Sequence, residues 1–156
     1  MILQMNKVTL RNLITSVLKE LNLHSDNAVN LLMGTAAQES HLGKYRKQIG
    51  GGPALGIFQM EPATFNDIVN NYLRHKPALV VKIERVAHVS RFKAEDIENN
   101  DLLAICMARV HYLRVREAIP SDLEGWARYW KRYFNTPLGK GTEEEFIANY
   151  KRLVGN

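Results

Sequence analysis

The run Leu102-Leu103-Ala104-Ile105-Cys106-Met107-Ala108 constrains this chain more than any other stretch. It lies inside a longer helical pattern over residues 96–117, and Pro120 follows. A helix that is apolar on most sides is stable only when other elements surround it. The rest of the chain supplies such elements. Leu10, Leu13, Ile14, Val17, Leu18 and Leu21 recur at helical spacing over residues 8–23. Ser25 or Asp26 caps a second helix that runs to about residue 42. Pro62 and Pro77 suit the first turns of two more helices, where the missing N–H is not needed. Ser121 and Asp122 begin an aromatic-rich helix to about residue 134. After the loop with Pro137, Gly139 and Gly141, Thr142 begins the last helix. Glu143, Glu144 and Glu145 lie in its favourable first turn. Only the stretch around Gly50–Met60 has room for short strands. The expected architecture is mainly α, one domain over residues 1–156, with at most a small β-hairpin.

Composition narrows the classes of function. A chain of 156 residues can bury a real core, and 46% hydrophobic with 24% charged residues excludes global disorder. Cys106 is the single cysteine, so a scaffold stapled by intrachain disulfides is excluded. No stretch approaches the roughly 18 apolar residues of a membrane span. The first residues lack a basic segment followed by an apolar one and a cleavage site. Synthesis in the cytoplasm without a signal peptide, and no insertion in a membrane, are therefore expected. The net charge of +5 favours an anionic partner, whether nucleic acid, lipid or cell wall. The five histidines form no HExxH pair and no Cys/His cluster, so neither a metal nor another cofactor is expected.

One acidic residue stands where the pattern asks for an apolar one. At 100° per residue from Ala28, Leu32 falls at about 40°, Ala36 at about 80° and Leu31 at about 300°. Glu39 falls at about 20°, inside that arc. A carboxylate on a buried face must be paired, hydrogen-bonded or protonated. Desolvation raises its pKa, as a general acid near neutral pH requires. The competing reading is a helix-end Glu paired with Lys44 or Arg46. The residues that follow favour the first reading. Ser40 is followed by Gly50-Gly51-Gly52 and by Gly56-Ile57-Phe58-Gln59-Met60-Glu61-Pro62. Gly56 permits close approach of backbone to a ligand, and Gln59 carries both a donor and an acceptor. These groups suit a substrate rich in amides and hydroxyls, such as an N-acetylated sugar.

At these residues the chain resembles the lysozyme-like superfamily, and most closely its soluble lytic transglycosylase and goose-type lysozyme branch, phage-borne members included. In that branch a helix ends in Glu-Ser. A Gly-rich turn follows, then Gly-Leu-Met-Gln, often continued by Met-Pro-x-Thr. Gln38-Glu39-Ser40, Gly56-Ile57-Phe58-Gln59 and Pro62-Ala63-Thr64 match these elements in order. His111-Tyr112-Leu113-Arg114 matches a later apolar helix ending in Tyr-Leu-Arg. Two departures stand out. The last motif of the branch, Ala-Tyr-Asn-x-Gly, is met by Tyr133-Phe134-Asn135-Thr136, so Phe134 stands where the motif has Tyr. Tyr133 or Tyr129 is then the available hydroxyl. Glu61 stands where transglycosylases have an apolar residue and goose-type lysozymes an Asp.

The resemblance implies cleavage of peptidoglycan at the β-1,4 bond between N-acetylmuramic acid and N-acetylglucosamine. Glu39 is then the general acid, and Glu61, or less readily Asp67, a second carboxylate that activates water. Without a second carboxylate, Glu39 takes the proton of the muramyl 6-hydroxyl and a 1,6-anhydro product forms. Ser40, Gly56 and Gln59 are expected to orient the sugar or the Glu. Tyr112, Tyr133 and Asn135 are expected along the saccharide cleft, with Tyr129 and Trp130 as further candidates. The implied partner is the glycan strand of the bacterial wall. The implied setting is a phage lysin, or a virion part that also meets other virion proteins. Two other classes compete: a catalytically inactive lysozyme-like binding or structural protein, and a basic helical DNA-binding module. Against the latter, no helix carries a dense Arg/Lys/Asn/Gln face, so no nucleic-acid partner is expected.

Overall fold

The computed structural model describes residues 5–135 and 138–155, so Thr136 and Pro137 lie outside the described residues. The chain is mainly helical. The α-helices are α1 (Lys7–Glu20), α2 (Asp26–Ser40), α3 (Pro62–Asn71), α4 (Pro77–Ala87), α5 (Asp101–Leu113), α6 (Leu123–Trp130) and α7 (Glu143–Asn149). Two 3-10 turns, Leu73–His75 and Ala94–Glu98, link the middle helices. A π-helical turn extends α6 over Lys131–Asn135, and another extends α7 over Tyr150–Val154.

Local chemistry sets most of these bounds. Asn6 caps α1 by accepting from the backbone N–H of Val8 at 2.8 Å. Ser25 caps α2 through Ala28 N–H at 3.0 Å, and Asp122 caps α6 through Gly125 N–H at 2.7 Å. Pro62 and Pro77 open α3 and α4. Thr142 and Glu145 cap one another across the first turn of α7. One expectation needs correction: the long helix over 96–117 is two pieces. Asn100 turns its side chain back to accept from Leu103 N–H at 3.0 Å, so α5 starts afresh after the 3-10 turn. It ends at Leu113, well before Pro120.

Two helices form the axis of the core. In α5, Leu103–Ala108, Val110 and Tyr112 are buried. Burial pushes the Cys106 thiol up to about 12, so it packs as an inert apolar group. In α2, Ala28, Val29 and every residue from Leu31 to Ala37 are buried. Helices α1, α3 and α4 pack on α5, while α1, α6 and α7 pack on α2. Gly34 allows α2 and α7 to approach closely, since a Cβ there would strike the Phe146 ring of α7. Among the described residues there is no strand. Two isolated antiparallel bridges, Lys47 with Leu55 and Leu55 with Met60, fold the loop between α2 and α3 into a compact flap. Arg46 and Asp101 join that flap to the start of α5 through a two-pronged ion pair.

Candidate active site

Helix α2 ends in a turn with an unusual backbone. His41, Leu42 and Gly43 all adopt positive φ, at 51°, 58° and 88°. Such a sequence is unfavourable for side chains other than glycine and persists only when its surroundings hold it. Ser40 supplies the hold. Its buried hydroxyl donates to Ile57 O at 2.6 Å and accepts from Gly43 N–H at 2.8 Å. The Ser after Glu39 thus anchors the flap to the helix end, and faces core rather than cleft.

That anchoring leaves Glu39 at the floor of an open cleft of about 670 Å³. Gln59, Met60, Glu61, Thr64 and Tyr45 line one side, and Phe134, Asn135, Gly139, Lys140 and Gly141 the other. His111 of α5 also reaches the lining. A second cavity of about 610 Å³, lined by Lys7, Arg11, Met33, Trp126, Tyr150 and others, is similar in size but has no carboxyl in its lining. Chemistry, not volume, distinguishes the two.

The Glu39 carboxyl is enclosed by protein although the residue keeps some exposure to the cleft. Trp130 Nε1–H donates to its Oε2 at 2.9 Å. Burial pushes its pKa from an ordinary 4.5 up to about 7, and the indole bond pulls weakly the other way. Neither Lys44 nor Arg46 pairs with it: Arg46 is committed to Asp101. Trp130 is itself fully buried, tilted against Phe146 with ring centroids 5.3 Å apart. A Cβ on Gly141 would lie 2.6 Å from the Trp130 ring, so this loop seats directly on the indole. Lys131 fixes the loop. Its ammonium donates to Asn135 Oδ1 at 2.8 Å, Gly139 O at 2.8 Å and Gly141 O at 2.6 Å.

The structure brings four of the expected residues together. Glu39, Glu61, Gln59 and Asn135 all line the cleft. Glu61 is exposed, just before Pro62, and its side chain makes no cap bond to α3. Gln59 spends its amide donor on three carbonyls, Tyr45 O, Arg46 O and Gly56 O at 3.0–3.1 Å. That holds Gln59 in its own positive-φ position and leaves its Oε1 as the acceptor available to a ligand.

The other expected residues and candidates sit elsewhere. Gly56 has φ of 80°, and a Cβ would fall on the Ile97 carbonyl oxygen, so it admits another stretch of backbone and not a ligand. Ser40 has the anchoring role described above. Tyr112 is buried, its hydroxyl on Thr35 Oγ1 at 2.8 Å. Tyr133 turns away to Glu117 Oε1 at 3.2 Å, and Tyr129 to Glu117 O at 2.9 Å, so neither hydroxyl replaces the one absent at Phe134. Asp67 is bound to Arg114 at 2.9 Å and lies outside the cleft lining. Trp130 is a partner of Glu39 and not a cleft wall.

Sequence reasoning missed His111, Tyr45 and the Lys131 clamp. His111 accepts from Arg114 at Nδ1 over 3.0 Å and meets the Phe134 ring edge at 5.1 Å. Burial and the Arg114 charge push its pKa down to about 4, so it is neutral wherever Glu39 is a useful acid. One of five scattered histidines carried no local mark of this role. Among the described residues no cluster of three or more His, Cys, Asp or Glu is placed to hold a metal ion. Among the described residues no helix is long and apolar enough to cross a membrane. Comparison with protein-family models, curated proteins and solved structures returned no match. The site's own chemistry and the short motifs are what bear on function.

Proposed function

We propose that this chain cleaves the glycan strands of peptidoglycan at the β-1,4 bond between N-acetylmuramic acid and N-acetylglucosamine, with Glu39 as general acid. The observation that carries this reading is a carboxyl with a pKa near 7 at the floor of an open cleft, one oxygen fixed by Trp130. Such a group is protonated when substrate binds and can pass its proton to the leaving glycosidic oxygen. The order of the Glu39-Ser40, Gly56–Gln59 and Pro62–Thr64 motifs supports a wall glycan as substrate, through their resemblance to lytic transglycosylases and goose-type lysozymes. The expected setting is lysis of the wall by a phage lysin or a virion-borne enzyme.

Loss of the leaving group leaves an oxocarbenium-like sugar, and two routes complete the reaction. In one, the Glu39 carboxylate takes the proton of the muramyl 6-hydroxyl, whose oxygen closes on C1 to give the anhydro sugar. In the other, Glu61 takes a proton from a water that attacks C1, which restores a reducing end. Glu61 supports the second route by its free, exposed carboxyl in the cleft lining.

Digestion of purified peptidoglycan tests the proposal. Glu39→Gln is expected to lower turnover by about 10²–10⁴-fold, the usual worth of a positioned acid. Equal turnover in the variant, or none in the native protein, overturns the reading. Mass spectrometry of the released fragments separates the routes: anhydro ends that survive Glu61→Gln mean transglycosylation, and reducing ends lost in Glu61→Gln mean hydrolysis.

A further inference from the structure

Three basic side chains from two distant parts of the chain stand near Tyr45 of the cleft lining. His41 and Lys44 follow the end of α2, and Arg152 comes from the π-helical turn after α7. Tyr45 connects the group to the cleft. It lines the cleft, its ring lies 5.3 Å from the His41 ring, and Lys44 Nζ lies 5.4 Å from the same tyrosine's centroid. Arg152 is held in place. Gln38, next to Glu39, accepts from Asn149 Nδ2 at 2.6 Å, and Asn149 Oδ1 accepts from Arg152 at 2.7 Å.

Burial, and after it the charges of Arg152 and Lys44, hold the His41 pKa below its ordinary value. Among the described residues neither Lys44 nor Arg152 takes part in an ion pair. One cation would answer the negative end of α2. Two, with the His41 ring and Lys44 both against Tyr45, leave positive charge directed at something outside the chain.

We infer that His41, Lys44 and Arg152 form a carboxylate-binding subsite for the acidic peptides that hang from the muramyl residues of the glycan. This rests on the peptidoglycan reading above. A glycan bound over Glu39 runs past Tyr45, and its peptide substituents leave the cleft at that edge. Their free carboxylates complement Lys44 and Arg152, and the His41 ring offers a further donor.

The test uses the full-length chain with Glu39→Gln, so that binding is read without turnover. Two ligands are compared by titration calorimetry: peptide-bearing glycan oligomers, and the same oligomers stripped of peptide by an amidase. Adding Lys44→Gln and Arg152→Gln is expected to weaken binding of the peptide-bearing oligomers by about tenfold, a typical sum for two partly exposed charge contacts. Binding of the stripped oligomers is expected to change by less than about twofold. The preference should also shrink with added salt in the parent and not in the variant. Equal loss on both ligands, or no loss on either, overturns the subsite. Turnover of peptide-bearing peptidoglycan by the native chain is a separate readout. Its absence together with a peptide-dependent preference in binding removes the catalytic reading and leaves the subsite standing.

Discussion

At the scale of single residues, the site turns on how one carboxyl is surrounded. Glu39 was legible from sequence because angular position on a helix is local arithmetic: a Glu within an apolar arc must be explained. Its partner was not legible, because Trp130 lies 91 positions away and an indole in an aromatic-rich helix is ordinarily core. Trp130 is core as well, which is why its N–H can be aimed so firmly. That bond stabilises the charged form of Glu39 and so opposes burial. Trp130→Phe keeps much of the packing and removes the donor. The pKa of Glu39 should rise further, and on the proposed function the alkaline limb of the activity profile, expected near pH 7 in the native chain, should move to higher pH. A pH–rate profile of the variant on peptidoglycan checks this; a limb that moves down or stays fixed contradicts the assignment. The tyrosines teach the opposite lesson. Tyr112 matches the motif resemblance by position and Tyr133 stands one place before the motif's Tyr, yet each hydroxyl already has a partner away from the cleft.

At the scale of elements, the helix starts were legible and the turns between them were not. Ser25, Pro62, Pro77, Asp122 and Thr142 act on the backbone within three residues, so sequence alone locates them. Asn100 carried the same kind of signal, but the apolar run after it drew the helix boundary too early. The left-handed turn over His41, Leu42 and Gly43 had no local signature beyond one glycine. It exists because the Ser40 hydroxyl and the flap sustain it. Ser40→Ala should therefore destabilise the chain by about 1–3 kcal/mol, the cost of a buried hydrogen bond lost with its acceptor stranded. Denaturant unfolding measures that. Turnover should fall with it, since the same turn positions Glu39, and a variant of native stability would show that the turn holds itself. The π-helical turn after Trp130 has a comparable effect. It carries Phe134 and Asn135 in the cleft wall, while Tyr133, which the motif resemblance also placed there, turns to Glu117.

At the scale of the whole molecule, two buried ionisable groups at the cleft act in opposite directions on stability. Glu39 holds a proton more tightly folded than unfolded, so its contribution falls as pH rises from about 4.5 to about 7. His111 holds a proton less tightly folded, so its contribution rises between about 4 and the ordinary 6.5. The two offset one another through the mildly acid range, and above it the cost of the ionised Glu39 remains. Glu39→Gln keeps an acceptor for Trp130 and cannot ionise. It should stabilise the chain by about 1–3 kcal/mol at pH 8 and by little at pH 4. Thermal unfolding of both proteins at the two pH values reads this directly; a variant less stable at pH 8 would mean that the native carboxylate is well solvated.

The bond from Trp130 to Glu39 also orders events in time. A ribosome delivers α2 long before it delivers α6, the Lys131 clamp and α7. Until those residues emerge, nothing encloses the carboxyl, and Glu39 titrates like any acid in water. Its proton is retained at neutral pH only after the second half of the chain has closed over the first. A nascent or interrupted chain thus carries the Glu39 side chain without its raised pKa, which arrives only when α6 and the residues after it fold onto α2.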